Sequence, residues 1–291
     1  MNAIANSTHR LGLRFGSTRA EMLRLRKWSA IWVIVGAWLA LSLSFGYVFN
    51  YVAYKTGDDN FAGDGASNAQ LLAELMPSAI PDVIVSGLPM FGGALAMVVG
   101  ALVAGNGFGW GTWKTVFTQG PSRFAAVGGS LAAVTIFIVA MMTATLALCA
   151  GVSVAIAATE GESITMPALG DLAQSFGAGF LVLEMWALLG FLVGVLAKGP
   201  ALAVGLGLVW SLVVENLLRG VGSLLSGIET VTDALPGTAG GSLAGAIIGG
   251  PNGTPGVLDA ISGERALITV AAYVLVAVVA AVVVMRRRDL A

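Results

Sequence analysis

Apolar residues along the chain fall into long uncharged runs, not into the short alternating patterns of soluble elements. A helix needs roughly 20 apolar residues to cross a bilayer core of about 30 Å. Six runs answer to that length: 28–54, 83–105, 124–158, 172–197, 201–216 and 266–285. The third is longer than one crossing needs, the fourth is broken only by Glu184, and the fifth is short, with Glu215 at its end. In lipid, backbone N–H and C=O groups must be satisfied within the segment, so each run is predicted to be helical. The pattern predicts an all-α, polytopic membrane protein with six transmembrane helices.

Three segments between the runs carry patterns of their own. Residues 17–27 are basic and moderately amphipathic, with Thr18 and Glu21 spaced as a capping box. They are expected to form a helix lying along the membrane surface. In loop 106–123, Thr112 is placed to cap a short helix and Gly120-Pro121 to stop it. Trp113, Val116 and Phe117 share one face of that helix, and Lys114, Thr115 and Thr118 the other. A capped helix with an aromatic face is expected to dock onto something. In the long segment 217–265, Pro236 and Pro251 bracket an uncharged, glycine-rich stretch of 14 residues, too short to span. It is expected to form a re-entrant or interfacial hairpin before the last span, the alternative being a disordered loop.

Composition narrows the class. Of 291 residues, 57% are hydrophobic and only 11% charged, against about 25% charged in an ordinary soluble domain. The mean hydropathy is +0.87. So few charges cannot cover that much apolar surface in water, which excludes a soluble globular enzyme and a disordered chain. A net charge of −1 gives no reason to expect a nucleic-acid partner. One cysteine, Cys149, excludes an internal disulfide, and one histidine, His9, excludes a His-rich metal site. Twelve of the 15 Lys and Arg residues flank the runs on one side, at 10–27, 114–123, 198 and 286–288. By the positive-inside rule both termini are expected to be cytoplasmic. The polar N-terminal stretch is too long for a signal peptide, so the first run is expected to remain as a span.

Candidate chemistry is sparse. A phosphate-binding loop needs Gly-Lys-Ser/Thr, and none of Lys27, Lys55, Lys114 and Lys198 follows a glycine. The chain is therefore not expected to be an enzyme by itself. Glu184 lies near the middle of the fourth run, where a charge costs about 2.5–3.5 kcal/mol on insertion scales. It reads either as part of a cargo or proton pathway or as a helix-packing hydrogen bond. Glu215 stands four residues before Arg219, which suggests a salt bridge along one helix. Gly190 and Gly194 form a small-xxx-small pair suited to close helix packing. No nucleophile is paired with a base.

The string Phe108-Gly-Trp-Gly-Thr-Trp-Lys-Thr, followed by Gly120-Pro-Ser-Arg123, resembles the loop between spans two and three of exporter-type (type-2) ATP-binding-cassette permeases. The basic helix before the first span is similar to that family's connecting helix. The stretch Gly190–Glu215, with its Lys-Gly-Pro turn and Val-Glu-Asn-Leu-Leu end, also matches, and the segment before the last span is similar to the family's re-entrant external helices. The resemblance covers nearly the whole chain. It implies a bacterial inner-membrane permease, an efflux subunit that pairs with a second copy, most simply as a homodimer. A separate ATPase subunit would bind ATP and magnesium, so this chain would hold no cofactor. Helix 112–119 would be the coupling helix. Trp113 and Phe117 would be apolar anchors in the ATPase, Lys114 and Arg123 polar contacts, and Thr112 and Thr115 part of the same loop motif. The hairpin would be an outer lid. Glu184 has no place in the family pattern. The competing readings are a stand-alone secondary transporter or channel, and a non-transporting membrane scaffold; no internal repeat is evident between 28–157 and 172–285.

Overall fold

The computed structural model describes residues 16–57, 67–119, 122–222, 227, 229–250 and 254–287. His9, Arg10, Arg14, Asp58, Asp59, Asp64, Pro251, Arg288 and the helix stop expected at Gly120-Pro121 lie outside the described residues. Every regular element among those described is helical. In chain order, α1 covers residues 16–27, α2 Ser29–Thr56, α3 Asn68–Leu75, α4 Ile80–Ser86, α5 Leu88–Gly109 and α6 Thr112–Gln119. Then come α7 Arg123–Glu160, α8 Leu169–Ala197, α9 Pro200–Gly222, α10 Glu229–Asp233, α11 Pro236–Ile248 and α12 Gly263–Arg287. Six of these, α2, α5, α7, α8, α9 and α12, are long and apolar enough to cross a membrane.

Several boundaries differ from those expected, for local reasons. The second crossing begins at Leu88 rather than Val83, because the chain bends at Gly87 between α4 and α5. Pro81 and Pro89 each sit in the first turn of the helix that follows, where a missing N–H costs nothing. The fifth crossing runs on to Gly222 and takes in Arg219, giving 23 residues. It starts from a tight turn in which Lys198 has φ +55° and Pro200 opens the helix. Helix α1 is already under way at residue 16, so Thr18 lies inside it rather than capping it. Likewise Thr112 is the first residue of α6, preceded by Gly111 at φ +67°. Helix α3 begins with a capping box: Ser67 Oγ accepts from the Gln70 N–H, and Gln70 Oε1 accepts from the Ser67 N–H.

The crossings alternate in direction, so their ends gather in two groups. At the basic end, Trp28 meets Trp110 edge to face at 5.8 Å. There too, Arg123 Nη1 donates to the Arg286 carbonyl at 3.3 Å, and Gly105 packs on Pro200. At the acidic end, Lys55 Nζ pairs with Glu160 Oε2 at 2.7 Å, and the Tyr51 hydroxyl donates to Glu160 Oε1 at 2.8 Å. These contacts tie α2 to α7. Two more lie deeper: Trp38 Nε1 donates to Thr145 Oγ1 at 2.8 Å, and the Tyr47 hydroxyl to the Cys149 carbonyl at 3.2 Å.

The centre of the bundle is the α5–α8 seam. A Cβ at Gly100 would collide with the Ala187 carbonyl, and one at Gly190 with the Met97 carbonyl. Only glycine lets the two backbones approach so closely. Around this seam α2, α9 and α12 leave much of their surface exposed. On α9 the exposed Leu202, Leu206, Val209, Val213, Leu217 and Val221 make one continuous stripe, as a lipid-facing helix requires.

Candidate functional site

The basic end carries the structure built on the expected coupling loop. Helix α6 lies against the last turn of α5, and Trp113 fixes it there. The indole is only 4% exposed, and its Nε1–H donates to the Ala104 carbonyl at 3.2 Å. Gly107 provides the seat, since any Cβ there would strike the indole. Phe117 stacks on Trp113 at 5.4 Å, and the Arg123 guanidinium lies 5.5 Å from the Phe117 ring. This is a cation–π contact that closes the far side of the loop.

The aromatic face is therefore turned inward. Trp113 is buried against its own chain, and Phe117 is half-buried between Trp113 and Arg123. The physical reason is that Gly107, bare of a side chain, leaves room on α5 for the ring, which removes it from water while the Ala104 carbonyl satisfies its N–H. Arg123 is engaged with Phe117 and Arg286, and Thr112 is part-buried at the start of the helix. What α6 presents outward is Lys114, Thr115 and Thr118. The hydroxyls of Thr115 and Thr118 are turned back onto the carbonyls of Gly111 and Lys114.

Helix α1 grips the same turn of α5 from its other side. Arg24 Nη2 donates to the Val103 carbonyl at 3.0 Å and pairs with Glu21 Oε2 at 2.9 Å. Gly129 of α7 lets the backbone at Ser17 and Thr18 come close. Burial, opposed by the Arg24 charge, pushes the Glu21 carboxyl above its ordinary value. Successive carbonyls of α5, Val103 and Ala104, are thus bonded by α1 and by α6 respectively. The expected docking of α6 had a visible pattern in the sequence, but Arg24, Gly107 and the Trp28–Trp110 contact had none. Each depends on which helices become neighbours.

The two carboxyl groups within candidate spans have different partners. Glu184 of α8 is 5% exposed and faces α7, where the Thr135 hydroxyl donates to its Oε1 at 2.6 Å. Its Oε2 has no hydrogen-bond partner among the described residues. Glu215 of α9 is fully buried. Its Oε2 accepts the Gly237 N–H at 2.7 Å and its Oε1 the Trp210 Nε1–H at 2.9 Å. The guanidinium of Arg219 instead donates to Asn216 Oδ1 at 2.6 Å, so the bond expected between Glu215 and Arg219 gives way to one with α11. A helix N-terminus offers unpaired N–H groups and positive potential, and a carboxylate answers both.

Helix α11 itself is a buried element. Its N-terminal ten residues are all out of solvent. Gly241 and Gly245 let it press against the returning chain at Gly256 and Leu258, and the Gly241 carbonyl accepts the Leu258 N–H at 3.1 Å. The glycine-rich composition of this stretch is a packing requirement, not a sign of disorder.

Compared with protein-family models and with curated proteins, the chain matches none. Its described residues are all-helical in their regular elements, with six helices whose length and composition suit a multi-pass membrane protein.

Proposed function

We propose that the chain is the membrane permease subunit of an ATP-binding-cassette efflux transporter. It would form the substrate pathway, most simply as a homodimer, and be driven by a separate ATPase subunit that holds ATP and magnesium. The observation that carries this reading is α6: a short helix at the basic end, bolted to the inner end of α5 through Trp113 and presenting a polar face. Such a helix transmits a push to the crossing it is attached to. The family resemblance of the same loop, and the absence of a phosphate-binding loop in the sequence, support the division of labour.

In this reading the basic end is cytoplasmic and the membrane is the inner membrane of a bacterium. Helix α1 lies along the inner surface with Leu23 exposed toward the headgroups and Leu25 packed on the bundle. Helix α11 and its return form a re-entrant hairpin that closes the outer side. The ATPase contacts Lys114, Thr115 and Thr118, while Trp113, Phe117 and Arg123 hold the helix in place from behind.

Co-purification with candidate ATPase subunits in mild detergent tests this. The wild type should retain an ATPase. Lys114→Glu should lose it by charge reversal on the outward face, and Trp113→Ala by unseating the helix. A wild type that binds no ATPase overturns the reading. The second reading, a solitary transporter or channel, then leads. It is favoured by Glu184, a buried mid-span carboxyl with one oxygen unbonded among the described residues.

A further inference from the structure

The chain turns a corner at Trp28, between α1 and α2, and cations collect on its outer side. Helix α1 carries five charged residues, Arg19, Glu21, Arg24, Arg26 and Lys27. Two of them are engaged inside the molecule: Arg24 pairs with Glu21 at 2.9 Å and donates to the Val103 carbonyl. The side chains of Arg19, Arg26 and Lys27 are exposed, and no ion pair or hydrogen bond holds them among the described residues. Positions 19, 23 and 26 share one face of the helix, and Leu23 stands 49% exposed between the two arginines. An apolar side chain between free cations suits the boundary between headgroups and hydrocarbon.

An indole fixes the corner. Trp32, in the first turn of α2, donates from Nε1 to the Arg26 carbonyl at 2.8 Å, while its ring stays 60% exposed. The bond holds the ring beside the backbone that carries Arg26 and Lys27. Further along α2, Val33 is exposed, and so are Gly36 and Ala40, which have almost no side chain. Trp32 to Ala40 is about 12 Å along the helix axis. The surface therefore runs from free cations, past an amphipathic ring, to a smooth apolar strip. A phospholipid has the same order: phosphate, ester region, acyl chains. Tryptophan belongs at the headgroup level, with hydrocarbon beyond it. The unpaired cations select the headgroup, since a zwitterionic lipid brings an ammonium that they repel and an anionic lipid does not.

We propose that the α1–α2 corner is a binding site for an anionic phospholipid. Arg26 and Lys27 hold the phosphate, Trp32 lies at the ester level, and one acyl chain runs along Val33, Gly36 and Ala40. Arg19 extends the positive field along α1. The bound lipid braces α1 against α2 close to where Arg24 ties α1 to α5. The site rests on the crossings lying in a bilayer and not on the permease reading above.

The test uses the full chain in lipid nanodiscs, in a Cys149→Ala background with a fluorophore at Val33→Cys, which is 70% exposed beside Trp32. The nanodiscs are phosphatidylcholine with the same small fraction of either phosphatidylglycerol or phosphatidylcholine brominated on its acyl chains. Bromine quenches only from lipid next to the label. Brominated phosphatidylglycerol should quench more strongly than brominated phosphatidylcholine. A cation near an anionic lipid surface is worth about fivefold in binding, so Arg26→Gln and Lys27→Gln should each cut the preference about fivefold. Arg26→Lys combined with Lys27→Arg should keep it, which separates loss of charge from loss of fold. Arg287→Gln removes an exposed cation at the same end of the molecule and should leave the preference unchanged. Equal quenching by the two lipids overturns the proposal. An equal loss in Arg287→Gln also overturns it, because the preference then belongs to the whole basic end. Displacement by inorganic phosphate assigns the cations to a free anion, and quenching by neither lipid means that a second copy of the chain covers the corner; either result overturns the lipid site. Failure to co-purify an ATPase removes the transport role and leaves these readouts as they stand.

Discussion

Glu160 and Glu74 both belong to the acidic end but meet different surroundings. Glu160 receives Lys55, Tyr51 and Tyr54 at once, which ties two crossings together. Glu74 stands in the last turn of α3, where the backbone dipole disfavours a negative charge. Burial, and after it the charge of Asp82, pushes its carboxyl above the ordinary value; burial and Asp171 do the same for Asp82. A carboxyl whose folded value is raised favours the fold most below its unfolded value and loses that contribution as pH rises through the folded one. Glu74→Gln removes the cost while keeping an acceptor for Asn50, which donates to Glu74 Oε2 at 3.1 Å. The variant should melt at a higher temperature than wild type at neutral pH. Its advantage should shrink as the pH is lowered through the carboxylate range. An advantage that grows on acidification would contradict the assignment.

At the scale of elements, the α5–α8 seam sets how tightly the bundle can close. A methyl at Gly190 would stand 2.8 Å from the Met97 carbonyl carbon and 2.9 Å from its Cα. These are backbone atoms, so the helices themselves must separate. Gly190→Ala should lower stability by about 1–3 kcal/mol, the usual cost of overpacking, read as a fall in melting temperature in detergent. Gly151→Ala on α7 is the control, since its Cβ would meet nothing within 4 Å, and it should be neutral or slightly stabilising. The Gly190–Gly194 spacing was legible in the sequence, because small residues one turn apart have only one packing use. Its partners Met97, Ala101 and Ala104 on α5 were not, because no local pattern says which helix will lie opposite. The same limit explains α6. Its amphipathic face was readable from Trp113, Val116 and Phe117, but the seat at Gly107 that turns this face inward exists only once α6 folds back under α5. Helix α3 leaves no mark among the apolar runs; its one local sign is the capping-box spacing of Ser67 and Gln70. Glu215 was read along its own helix, toward Arg219, and its bond to Gly237 joins residues 22 apart.

Across the whole molecule, the crossings segregate charge. Arg24, Arg26, Lys27, Lys114, Arg123, Lys198, Arg286 and Arg287 gather where α1 and α6 lie, and Glu74, Asp82, Glu160, Glu162 and Asp171 at the other end. That separation supports the proposed orientation, because basic flanks are retained on the cytoplasmic side during insertion. Helix α7 adds a constraint. Its 38 residues extend about 57 Å at 1.5 Å per residue, beyond the roughly 40–45 Å of a bilayer with its headgroups. It must therefore tilt or project, and the loop after it, with Ile164 and Met166 exposed, stands on the side away from α6. Single cysteines in a Cys149→Ala background resolve the arrangement in intact cells. Ile164→Cys should react with a membrane-impermeant maleimide added outside. Lys114→Cys should react only after the membrane is permeabilised. Reaction of Lys114→Cys from outside would reverse the orientation and take α6 out of reach of any cytoplasmic ATPase. Reaction of both from the same side would break the alternation of crossings on which the six-span arrangement depends.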